Sequence, residues 1–115
     1  MLKIQTKTNK NAIIVEIEGD VDLYSSPQVR KKILDIINKK TPALLINLEG
    51  VTYMDSSGVA TLVEGLQRMK EYNGKLCIYN LQGAVRDVFE LSRLDKVFTI
   101  FENESEALKV CNDKN

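Results

Sequence analysis

Ala43-Leu44-Leu45-Ile46-Asn47-Leu48, followed after a polar interval by Met54-Asp55-Ser56-Ser57-Gly58, is the stretch that decides how this chain folds. The first part is too short for a helix and almost wholly apolar, the pattern of a strand covered by protein on both faces. After Gly58 the period changes. Val59, Leu62, Val63, Leu66 and Met69 recur at helical spacing. The expectation is a buried strand over 43–48, a loop over 49–55, and a helix that ends at Asn73-Gly74, a left-handed C-cap signal. Ser56 and Ser57 then sit where loop becomes helix. Unpaired N–H groups and the positive end of the helix dipole gather there, a setting that suits a negative group such as a phosphate. Asp and Ser are also favoured N-cap residues, so an ordinary helix cap by itself accounts for the local chemistry.

Upstream, Leu2 to Thr6 alternates as an edge strand, Lys7 to Asn11 turns, and Ala12 to Glu18 returns with Ile13, Val15 and Ile17 on one face. Gly19-Asp20-Val21-Asp22 ends that strand with two carboxylates. Ser25 or Ser26 caps a helix that has Pro27 in its first turn and Val29, Ile33, Ile36 and Ile37 as its buried stripe; Pro42 stops it. Downstream, Lys75 to Tyr79 is a strand. Asn80 is expected to cap a helix that turns Leu81, Val85, Val88 and Phe89 inward and closes at Leu91-Ser92-Arg93-Leu94-Asp95. Val97 to Phe101 is the last strand. Asn103-Glu104-Ser105-Glu106, similar to a capping box, opens a final helix through about Val110, and a polar tail follows from about residue 112. Gly65, inside the second long helix, marks close packing.

This order predicts an α/β fold: one domain over residues 1–115, with a mostly parallel five-stranded sheet, its first strand in an antiparallel hairpin, and about four helices. Sites in such sheets lie beyond the C-terminal ends of the strands. Asp20 and Asp22 lie at one such end and Met54, Asp55 and Ser56 at another; periodicity does not set the strand order.

Composition narrows the function. Sixteen basic residues balance 16 acidic ones, which gives no electrostatic reason to expect nucleic acid or an anionic membrane. Apolar runs of only a few residues fall far short of a membrane helix, and the N-terminus lacks the apolar segment of a signal peptide, so a cytoplasmic protein is expected. Balanced charge makes a monomer reasonable. The spacing of Cys77 and Cys111 matches no metal motif, so both read as small buried hydrophobes; neither metal nor cofactor is expected. There is no histidine, which removes a Ser-His-Asp or Cys-His enzyme within one chain, and no Gly precedes Ser56 as a nucleophile elbow requires. No Gly-rich phosphate loop supports nucleotide binding. A receiver-like site would use Asp20, Asp22 and Asp55 for Mg²⁺, but no Lys closes the strand over 75–79 to neutralise an acyl phosphate.

Three patterns, in order, carry a resemblance: Gly19-Asp20-Val21-Asp22, the run from Leu48 through Met54-Asp55-Ser56-Ser57-Gly58, and Val85-Arg86-Asp87-Val88-Phe89-Glu90-Leu91-Ser92-Arg93-Leu94. Together they resemble the STAS domain, and within it the bacterial anti-sigma factor antagonists, over essentially the whole chain. The resemblance implies a non-enzymatic regulator that binds an anti-sigma factor, itself a serine kinase, and so frees a sigma factor. It implies that the kinase phosphorylates the serine directly after the Asp, here Ser56, and that a phosphatase resets it. The implied partner surface comprises Asp20, Asp22, Ser25, Met54, Asp55, Ser56, Ser57, Gly58 and Arg93. Chemistry alone does not separate Ser56 from Ser57; the family pattern selects Ser56. Arg93 departs from the family, whose members often have Gly there. STAS domains also serve anion transporters and stress-sensing assemblies, so a non-switching interaction module is the alternative.

Overall fold

The computed structural model describes residues 2–111; the polar tail expected from about residue 112 lies outside them. Five strands form one sheet in the order β1 (Lys3–Asn9), β2 (Ala12–Val21), β3 (Ala43–Met54), β4 (Lys75–Tyr79), β5 (Thr99–Phe101). β1 runs antiparallel to β2, and all other neighbours are parallel. The helices are α1 (Ser26–Ile37), α2 (Ser56–Lys70), α3 (Gly83–Leu91) and α4 (Glu104–Cys111). The expected architecture is the observed one.

The strand order never reverses, and this fixes where the helices lie. Right-handed crossovers that always step the same way put every crossover helix on the same face. α1, α2 and α3 accordingly share the larger core, where Val29, Ile33, Leu62, Leu66, Val85 and Phe89 meet Val15, Ile17, Ile46 and Ile78. Among the described residues the back of the sheet has α4 alone, with Ala107 and Cys111 against Ala12, Ile14, Ala43, Leu45, Cys77 and Tyr79. Its start is pinned by Tyr79, whose hydroxyl donates to Glu104 Oε1 (2.9 Å), and by Lys7, whose ammonium lies 3.3 Å from the same oxygen. Gly65 does mark a close approach. A Cβ there would stand 3.2 Å from both Ile33 Cγ2 and Leu76 Cδ1, so α2 lies tightly against α1 as well as the sheet.

The largest departure from the sequence reading is β3. It does not stop at Leu48; it runs to Met54, and Asp55 alone separates it from α2. The pairing explains why periodicity misses this. Between Glu16 and Glu18 β2 advances two residues while β3 advances three, from Asn47 to Gly50; between Gly19 and Asp20 β2 advances one while β3 advances two, from Val51 to Tyr53. Each extra residue is a β-bulge. The bulges keep Leu48, Val51 and Met54, spaced by three, all in the front core. A period of three is not the alternation that identifies a strand, so the segment reads as loop. Gly50 follows the first bulge, paired with Glu18, where a Cβ would come within 2.6 Å of Glu18 Cγ.

Smaller corrections have local causes. β1 continues to Asn9, so the turn over 7–11 shrinks to Lys10-Asn11, with Lys10 at φ 56°. Likewise β2 continues to Val21, so Gly19-Asp20-Val21 belongs to the strand instead of ending it. Asn80 does not cap α3. It takes φ 63° and donates its side-chain amide to Asn47 Oδ1 (3.1 Å), and Gln82 stands in the cap position. β5 begins at Thr99, two residues late, because a 3₁₀ turn over Leu94–Lys96 takes up the approach. The capping box at α4 is offset by one: Asn103 Oδ1 accepts the Glu106 N–H (3.0 Å), while the Glu106 carboxylate accepts from Glu102 rather than from Asn103 (3.2 Å).

Arg93, between α3 and the 3₁₀ turn, has φ 61°. That left-handed conformation is where Gly is favoured at the end of a helix. Arg93→Gly is expected to stabilise the fold by about 0.5–1 kcal/mol, the left-handed strain removed less the extra unfolded-state freedom of Gly. A rise in the urea midpoint at unchanged slope is the readout; a fall would mean that the Arg93 side chain supports the turn.

Candidate functional site

The pairing of β2 with β3 makes neighbours of two loops whose adjacency the sequence leaves open. Asp20 lies opposite Tyr53 and Val21 opposite Met54, and the Asp55 N–H donates to the Val21 carbonyl (3.2 Å). The segment between β2 and α1 therefore stands beside the start of α2.

Asp22 builds that segment. Its Oδ1 accepts the N–H groups of Tyr24 (2.9 Å) and Ser25 (3.0 Å), an Asx turn, and its carbonyl accepts the Ser26 N–H (2.8 Å). Ser25 Oγ donates to the Asp20 carbonyl (2.7 Å) and accepts the Asp22 N–H (3.0 Å). Asp20 holds the strand end by accepting from Thr52 Oγ1 (3.0 Å). The three residues are committed to shaping the loop, and the loop turns Leu23 and Tyr24 outward, 67% and 90% exposed; Tyr53, opposite Asp20 on the neighbouring strand, is 48% exposed.

Asp55 does the same for α2. In extended conformation as N-cap, its Oδ1 accepts the N–H groups of Ser57 (2.9 Å) and Gly58 (3.4 Å) and the Ser57 hydroxyl (2.5 Å). The Ser57 hydroxyl first, then the backbone N–H groups of Ser57, Gly58 and Leu23, hold the Asp55 carboxyl below its ordinary 3.8. Asp55 thus ties both loops together. Because its pKa is depressed in the folded state, its contribution to stability is fully present above 3.8 and is lost as pH falls through the lower folded value. Wild type is expected to melt higher than Asp55→Asn at neutral pH, with the gap closing as pH falls below about 4. A gap independent of pH would deny the charge any role.

Two adjacent serines now differ. Ser57 is half-buried, and its hydroxyl is spent on Asp55. Ser56 is exposed at the first position of α2, and its hydroxyl makes no hydrogen bond to any described residue. The helix start is also less open to an anion than its position suggests, since Asp55 already occupies the N–H groups of Ser57 and Gly58.

The STAS domain family model matches residues 3–107. The chain belongs to the STAS domain family. It is 31% identical over 99 residues to the anti-sigma-B factor antagonist of Bacillus subtilis (strain 168), covering 86% of this chain and 90% of that protein. Among solved structures it is similar to an anti-sigma factor antagonist from Mycobacterium paratuberculosis, with a TM-score of 0.91 at 22% identity over 98% of this chain and 96% of that one. It is also similar to the Bacillus cell fate determinant SpoIIAA in its phosphorylated form, with a TM-score of 0.73 at 24% identity over 94% and 98%.

Within this STAS domain the expected surface residues separate by depth. Asp20 and Ser56 are exposed, Asp22, Ser25, Asp55 and Ser57 half-buried, and Met54 and Gly58 buried beneath the others. Met54 and Gly58 set the height of α2 rather than face outward. Arg93 is not brought to the site. It follows α3, which starts beyond the C-terminal end of β4 and runs back toward the other end of the sheet. The sequence reading missed Leu23, Tyr24 and Tyr53. An apolar pair between Asp22 and Ser25 was the available signal, since a loop capped by polar residues on both sides exposes what lies between. A strand order without reversal also makes no switch-point crevice. Among the described residues, no three His, Cys, Asp or Glu side chains are grouped to hold a metal, and no helix is long and apolar enough to cross a membrane.

Proposed function

We propose that this STAS domain is an anti-sigma factor antagonist switched off by phosphorylation of Ser56. Unphosphorylated, it binds an anti-sigma factor that is a serine kinase, through Leu23, Tyr24, Tyr53 and the first turn of α2, and so releases a sigma factor. Exposed aromatic and aliphatic residues beside polar ones suit such a contact. The observation that carries the reading is the exposed, uncommitted Ser56 hydroxyl beside a Ser57 hydroxyl locked on Asp55. A kinase reaches the first and must break the helix cap to reach the second. The chain itself is no enzyme: without a histidine there is no base of the usual kind to activate Ser56, which acts as acceptor only. A phosphatase resets it. The names of its relatives, anti-sigma-B factor antagonist and a SpoIIAA in phosphorylated form, support this assignment.

The test is intact-mass and phosphopeptide analysis after incubation with Mg²⁺-ATP and the host's candidate anti-sigma kinases, with Ser56→Ala as control. One phosphate on Ser56, absent from the control, is expected. Phosphate on Ser57 alone would overturn the assignment. No phosphate, with a stable complex to some other regulator, would replace the switch by a non-switching interaction module.

A further inference from the structure

Outside this site, the described residues hold a pair of free thiols that the function does not use. Cys77, in the middle of β4, and Cys111, at the end of α4, meet in the small core on the back of the sheet. Both thiols are free, 3% and 6% exposed, and their Sγ atoms lie 2.9 Å apart. That is within about 1 Å of the ~2.05 Å length of an S–S bond. Two thiols used only as hydrophobic filler need no such approach.

We propose that Cys77 and Cys111 form a reversible redox pair, oxidised by a peroxide to an intrachain disulfide that staples α4 to the sheet and released by a dithiol. The Cys111 thiolate attacks a peroxide oxygen, the O–O bond breaks, and with one proton the products are a sulfenic acid and water. The Cys77 thiol then attacks the sulfenic sulfur; the S–S bond forms as the S–O bond breaks, and the second oxygen leaves as water with the Cys77 proton. In sum, two thiols and one hydrogen peroxide give one disulfide and two waters. A dithiol returns both thiols and is itself oxidised to a disulfide.

Cys111 is the attacking thiol because it lies at the end of α4, the element that opens, while Cys77 lies in the middle of β4. The hydrogen bond shared by the two thiols, with Lys75 nearby, lowers the Cys111 thiol against the opposing effect of burial, and the same hydrogen bond, with burial, pushes Cys77 up. Peroxide reaches the pair when α4, an eight-residue helix packed by one face, opens locally. The disulfide would close a loop of 34 residues, which restricts the unfolded chain and fixes the final helix. α4 lies on the opposite face from α1 and α2, so this property stands or falls apart from the Ser56 reading.

The experiment treats the purified chain with a small excess of hydrogen peroxide, blocks residual thiols with N-ethylmaleimide in denaturant, and measures mass without reduction. The expected result is a loss of two hydrogens, no maleimide adduct, and a Cys77–Cys111 cross-linked peptide that dithiothreitol abolishes. The oxidised form is expected to melt roughly 10 °C higher, and Cys111→Ser, which keeps the shape of the site, to give no cross-link and no such rise. Two maleimide adducts, added oxygen without a cross-link, or a disulfide-linked dimer would each overturn the proposal.

Discussion

Authentic phosphorylation of Ser56 is expected to weaken binding to a cognate anti-sigma factor by roughly a hundred-fold to a few thousand-fold, from about 3–5 kcal/mol for burying an unpaired charge. Phosphoserine carries nearly two negative charges at neutral pH. A helix start often cradles such a group, but here Asp55 already takes two of the N–H groups and adds its own negative charge. The phosphate therefore projects outward, and an interface that accepts a neutral hydroxyl must desolvate a dianion. No refolding is required. Ser56→Ala should bind as wild type does and resist the kinase. Ser56→Asp, with half the charge on a shorter arm, should lose less than the phosphoprotein. Calorimetric titration of the four forms decides the matter: if the phosphoprotein binds as tightly as the unmodified chain, there is no switch at this residue.

Gly58→Ala is expected to be the most damaging small substitution in the first turn of α2, at about 2–3 kcal/mol. Its Cβ would stand 2.8 Å from both Met54 Cγ and Val21 Cγ1 and 3.1 Å from the Val21 carbonyl. Both side chains are buried and the carbonyl belongs to a central strand, so none can yield without moving β2, β3 or the helix. The gain in helix propensity from Ala, at most about 1 kcal/mol, does not offset this. Gly65→Ala is the informative control. There the contacts are side-chain tips at 3.2 Å, so small rotations and the same propensity gain leave it near neutral. Urea denaturation of the pair should show a lowered midpoint for Gly58→Ala alone. Equal midpoints would mean that α2 can rise off the sheet at little cost, and that its height at Ser56 is not fixed by Gly58.

The legible features were those that neighbours in sequence decide. The run Ala43 to Leu48 betrayed a central strand because burial on both faces selects apolar side chains at every position. The limits of β4 were read correctly for the same reason. Asp55 was recognisable as a cap because capping is a contact across two or three residues. The far half of β3 was not legible, because its spacing of three between Leu48, Val51 and Met54 follows from bulges that exist only in the pairing with β2. Asn80 misled for a related reason. Its side chain satisfies Asn47 on the neighbouring strand, a partner 33 residues away.

By itself, then, the sequence determined the fold class, the order of elements and the place where a strand hands over to a helix at Asp-Ser-Ser, since periodicity and capping are local and each residue carries its own preference. Only the tertiary structure decided that the β2–α1 loop lies beside that junction, that Ser57 is held by Asp55 while Ser56 is not, that Leu23 and Tyr24 face outward, and that Cys77 meets Cys111. Those are choices among strand registers and rotamers, made by contacts between segments far apart in the chain, and no local pattern of residues encodes them one at a time.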